Sequence, residues 1–128
     1  MPRFKKENIK NLKDFLYNSN FHDAELKNIE YECREDCIKI ELVNPIFDVR
    51  INFKFLNIGG VFAHRGKMCG SRETIISLTA EEDFSYLQNY IPSYNEGIAD
   101  SLYLLFQMFS GDELHIIAEE VIVELTKK

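Results

Sequence analysis

Three places in this chain carry side chains whose types could do chemistry. His22 and Asp23 stand side by side in FHDAEL, residues 21–26, a histidine and a carboxylate that could serve catalysis or bind a metal. Cys33 and Cys37 straddle the acidic pair Glu35-Asp36. HRGKMCGSR, residues 64–72, sets His64 and Cys69 among glycines and basic groups, a composition that suits phosphate or a thiol nucleophile.

The chemistry of each demands partners beyond the residues themselves. Consecutive residues of a strand point to opposite faces, so His22 and Asp23 could not clasp one metal ion without a kink. A phosphohydrolase of the helical His-Asp type needs further ligands on helices, and only His64 and His115 remain, both in strand-like or loop-like surroundings. The expectation is that His22 and Asp23 are structural, with Asp23 bonding free amides where the chain enters its sheet. A zinc site at Cys33 and Cys37 needs two more ligands that the spacing does not offer, so reduced structural thiols are expected, with a redox pair as the alternative. The loop lacks the GxxxxGK[ST] order of a phosphate cradle, and Cys69 as nucleophile has only His64 as a local base. It reads as a surface contact segment whose charge could pair with the acidic half of the molecule. No metal or cofactor is implied. The rival reading is a small enzyme or ligand-binding domain that gathers His22, Asp23, His64 and Cys69 into one pocket.

Charge points elsewhere. The net charge of −6 is unevenly spread: residues 1–72 hold 13 Lys and Arg against 10 Asp and Glu, whereas residues 73–126 hold 11 acidic residues and no Lys or Arg. Such a field repels nucleic acid and speeds encounter with a basic protein. Tyr86, Tyr90, Tyr94 and Tyr103 lie among these acids, and aromatic anchors in a negative field suit a protein-binding face. The expected contact residues are Tyr86, Tyr90, Tyr94, Glu96, Asp100, Asp112, Glu113, Glu119 and Glu120. A solvated surface serving only solubility is the bland alternative.

The elements that must position these residues follow from periodicity. Ile9, Leu12, Phe15 and Leu16 share a helical face, giving an N-terminal amphipathic helix from about residue 4 to 17. Ile29, Tyr31 and Cys33, then Ile38, Ile40 and Leu42, alternate with polar residues as a hairpin around Glu35-Asp36. After Asn44-Pro45, the run Phe47, Val49, Ile51, Phe53, Phe55 reads as a strand buried on one face. Gly59-Gly60 reads as a turn into a short strand, and ETIISLT as another. Thr79 with Glu82 has the form of a capping box, opening a second short helix through Phe84, Leu87 and Ile91. Around Ser110-Gly111-Asp112 a hairpin places Leu104, Phe106 and Met108 on one side with Leu114, Ile116 and Ala118, and Glu119-Glu120 marks a bulge or turn before a last strand.

At 128 residues with 45% hydrophobic content, the chain is expected to be a single domain, 1–128, of α+β class: a largely antiparallel twisted sheet of about six or seven strands with two helices. The N-terminal stretch has no apolar run of signal-peptide length and no segment approaches a membrane span, so a cytoplasmic protein is expected. An odd set of three cysteines fits a reducing compartment.

FHDAELKNIEYE followed by CIKIEL, together with the ending SGDELHIIAEEVIVE, resembles small bacterial immunity proteins of polymorphic-toxin loci, those of contact-dependent growth inhibition included. The resemblance covers residues 20–45 and 103–125. It implies an inhibitor, not an enzyme, that occludes a cognate toxin domain, often a nuclease. That partner would present a basic face; neither nucleic acid nor membrane is expected to bind, and the free form would be a monomer or weak dimer.

Overall fold

The computed structural model describes residues 2–17, 21–32, 34–64, 75–82, 101–108 and 111–127. Strand β1, Arg3–Lys5, and a 3-10 turn, Lys6–Asn8, precede helix α1, Ile9–Leu16. Then come β2, Glu25–Glu32; β3, Cys37–Asn44; β4, Val49–His64; β5, Ile75–Glu81; β6, Leu102–Met108; and β7, Glu113–Lys127. All pairings are antiparallel, in the order β2-β3-β4-β7-β6-β5, with β1 beside β7. The mostly antiparallel sheet and the N-terminal helix are as expected. The second helix, over Phe84, Leu87 and Ile91, lies outside the described residues.

The helix begins later than its periodicity suggests. Phe4 belongs to β1 opposite Val121, where the ladder satisfies its backbone and the ring still enters the core. Ile9, Leu12 and Leu16 are buried on the face the spacing predicts. The capping box at Thr79 does not form. Thr79 lies in β5 opposite Leu105 and its hydroxyl donates to Glu81 Oε1 at 2.8 Å, while Glu82 accepts from Lys13 Nζ at 2.9 Å. Leu78 and Ala80 are buried on either side of it, so the two-residue period outweighs the local motif.

Two expected breaks are absorbed into long strands. Gly59-Gly60 lies inside β4 and Glu119-Glu120 inside β7, because these strands pair from Val49↔Lys127 to His64↔Glu113 with one bulge between Ile58 and Gly60. A Cβ at Gly59 would stand 3.2 Å from Ile117 Cγ2, so glycine fits where the strands approach closely. What does change at this point is the buried phase. Leu114, Ile116 and Ala118 face the core, then Val121 and Val123, a step of three where the alternation demands two. In β4, Phe55 and Ile58 show the same slip across Asn57, which has φ 57°.

The slip folds the sheet on itself. Phe53 pairs with Val123 and Phe106 with Leu114, positions separated on β7 by roughly 30 Å of extended strand at ~3.3 Å per residue. Their rings nevertheless meet edge to face at 5.7 Å. One leaf (β2, β3, residues 49–56, residues 120–127) thus packs against the other (residues 58–64, residues 113–118, β6, β5). Phe21 touches Phe53, Phe15 touches Phe21 and Phe4 touches Phe15 at 5.4–5.9 Å, which carries the aromatic core into α1 and β1.

Strand β4 also starts later than expected. Asn44 Oδ1 accepts from the amides of Ile46 at 2.9 Å and Phe47 at 3.3 Å, an Asx turn that leaves Phe47 exposed and Asp48 at φ 55°. At the other end of the hairpin, Ile29 and Tyr31 oppose Ile40 and Ile38 on the core side. Yet they are 48% and 55% exposed, because β2 is the terminal strand of the sheet. Among the described residues no helix is long and apolar enough to cross a membrane.

Candidate functional site

Strand β7 strings its acidic residues along one rigid element, and the fold gives each a different environment. Glu124 is exposed. Glu119 is exposed at the bend, where its Oε2 accepts from Asn57 Nδ2 at 3.1 Å. Glu120 is mostly buried, with Oε1 2.8 Å from Arg3 Nε. That contact brings opposite charges together without a well-directed hydrogen bond, so Oε1 is stabilised by charge rather than by a donated proton. Glu120 therefore fastens β1 to the sheet.

The basic N-terminus thus folds back onto the acidic half. Arg3 meets Glu120, and Lys13 meets Glu82. The hydrogen bond from Lys13, and then its charge, hold the Glu82 carboxyl below the usual range. Between the 3-10 turn and the bend lies a groove of about 410 Å³, lined by Lys5, Lys6 and Glu7 on the N-terminal segment and by Asn57, Ser101, Glu119 and Glu120. It is of mixed sign. The acidic field expected from the sequence is accordingly interrupted here, and Glu119 and Glu124 are its exposed carboxylates on β7.

Asp112 and Glu113 lie at the start of β7, roughly 20 Å of strand from Glu119 at ~3.3 Å per residue. Glu113 belongs to a buried polar cluster that periodicity did not reveal. Tyr103 Oη lies 2.6 Å from His115 Nδ1, His115 Nε2 lies 3.3 Å from Glu113 Oε1, and Gln107 Nε2 donates to Glu113 Oε2 at 3.4 Å. His115 is 1% exposed and Tyr103 2%. A ring protonated at Nε2 satisfies both contacts, with the phenol donating to Nδ1 and Nε2–H donating to the carboxylate. The signal was available: Leu105 opposes His115 across the hairpin, which makes Tyr103 its diagonal neighbour on the same face. Tyr103 is thus an internal hydrogen-bonding group and not an exposed anchor.

His22 and Asp23 do meet, contrary to the expectation for a strand. They sit in a turn with Asp23 at φ 67°, and His22 Nδ1 lies 3.0 Å from Asp23 Oδ2. Phe21 and Ala24 on either side are buried, and Asn44 Nδ2 donates to the carbonyl of His22 at 3.3 Å. The turn is pinned by its neighbours while the pair itself is largely exposed. Asn44, which donates to the His22 carbonyl, opposes Val49 at the start of β4, and His64 is the last residue of that 16-residue strand. Cys69 and the side chain of His64 lie outside the described residues. Among the described residues no group of three or more His, Cys, Asp or Glu stands close enough to hold a metal.

Cys37 is buried with a free thiol, and burial pushes its pKa up, away from the reactive thiolate. Cys33, Cys69, the loop segment 65–72, Tyr86, Tyr90, Tyr94, Glu96 and Asp100 lie outside the described residues. No protein-family model matches the chain, and no curated protein matches it.

Proposed function

We propose that this chain is an immunity protein: it binds a cognate toxin domain with a basic face in the cytoplasm and neutralises it through its acidic surface. The observation that carries this reading is the absence of Lys and Arg over residues 73–126 beside 11 acidic residues. A toxin that cuts nucleic acid must offer a basic cleft to its substrate, and an acidic protein can fill or cover that cleft. Strand β7 supports the reading by holding Glu119 and Glu124 exposed on an ordered strand, where a basic partner can reach both carboxylates. Asp112 and Glu113, with Tyr86, Tyr90, Tyr94, Glu96 and Asp100, extend the contact surface along the acidic half.

The test is co-expression with the product of the neighbouring upstream gene. Restored growth and a stoichiometric complex are expected. Continued growth arrest with no complex would overturn the reading.

A further inference from the structure

Strand β2 has the features of an association edge. Ile29 and Tyr31 share the core side with Ile40 and Ile38, which are 1% and 3% exposed, yet they stand half open to solvent. Among the described residues nothing pairs with the outer edge of β2. On the opposite side of the strand the charge is already balanced from within. Lys39 lies opposite Glu30 and bonds Glu32 at 3.1 Å, and that hydrogen bond, then the charge of Glu32, hold the lysine's pKa above its usual value. A bulge between Leu26 and Asn28 ends the regular edge on one side.

We propose that two copies of this chain associate through β2, antiparallel about a two-fold axis at Ile29. Antiparallel pairing about an axis normal to the sheet keeps both core faces on one side, so a residue near the centre must oppose its own copy. The two-fold at Ile29 sets Ile29 against Ile29, Asn28 against Glu30 and Tyr31 against Lys27, so the only charges at these positions oppose neutral partners. The four exposed side chains Tyr31, Ile29, Ile29 and Tyr31 then form one continuous apolar stripe. Shifting the axis to Glu30 would place two carboxylates directly opposite, which disfavours that register. The dimer is small and weak, and it uses none of the residues assigned to the toxin-binding surface, so it does not depend on the proposed function.

The test combines mass and cross-linking. Light scattering on the wild-type chain is expected to rise from 15.0 kDa towards twice that value across the micromolar-to-millimolar range, and Ile29→Lys to abolish the rise while the circular dichroism is unchanged. In a Cys33→Ser, Cys69→Ser background, Ile29→Cys is expected to form a disulfide-linked dimer at least tenfold faster than Glu30→Cys, since directly opposed strand residues lie within disulfide reach. A constant monomer mass at every concentration would overturn the proposal, as would equal cross-linking of the two variants.

Discussion

Asn57 Nδ2 donates to Glu119 Oε2 at 3.1 Å across the point where the buried sides of β4 and β7 change phase together. Asn57 is in the left-handed region at φ 57°, and its amide donates to the Asp36 carbonyl at 3.1 Å, tying the bend to the turn before β3. Asparagine enters this region at less cost than most residues. The bend brings Phe106 against Phe53 and sets Glu119 facing solvent, so one residue links the folding of the sheet to the display of its acids.

Asn57→Val is expected to destabilise the fold by about 1–2 kcal/mol or more, because a β-branched residue cannot sit comfortably at this φ. Asn57→Gly keeps the conformation and should cost less. Urea unfolding of the two variants checks the order, and equal losses would show that the side-chain contact outweighs the backbone.

Tyr103→Phe removes the phenol from His115 and leaves the ring volume in place. A loss of about 1–2 kcal/mol is expected for a buried hydrogen bond whose partner stays behind. Equilibrium unfolding measures it; stability equal to wild type would contradict the hydrogen-bonded cluster.

Lys13 holds the Glu82 carboxyl down, first by its hydrogen bond and then by its charge. A depressed carboxylate contributes stability above its unfolded pKa and loses that contribution as pH falls through its folded value. In Lys13→Met, Glu82 is expected to titrate at higher pH, and the stabilities of variant and wild type should converge in acid. An NMR titration of the glutamate carboxyls reads this, and an unmoved Glu82 would contradict the pairing.

Cys37 is buried and its thiol is pushed up by that burial. Peptide mapping after labelling with a thiol reagent near neutral pH should find Cys37 unmodified in the native protein and modified in urea. Rapid native labelling would show that β3 opens.

The sequence read well where one physical rule acted alone. Ile9, Leu12 and Leu16 on α1, Ile51, Phe53 and Phe55 on β4, and the hairpin through Gly111 at φ 87° all follow from periodicity and turn chemistry. It read poorly where distant pairing overruled a local signal. Gly59-Gly60 and Glu119-Glu120 do mark the bulge and the change of buried phase, but they do not end the strands, because each strand is continued by the other and neither segment contains that information by itself. Thr79 and Glu82 carry a capping pattern that pairing with β6 overrides. The acidic half was legible as composition; that Arg3 and Lys13 reach back to Glu120 and Glu82 depends on tertiary placement.

The central claim is that acidic residues on a rigid sheet capture a basic toxin domain. Its most direct test is the association rate of the chain with its co-expressed partner, measured at low and high ionic strength. Steering by opposite charges predicts a fall of about tenfold or more with added salt, and a smaller salt dependence for Glu119→Gln with Glu124→Gln. An association rate unchanged between the two ionic strengths would contradict the account.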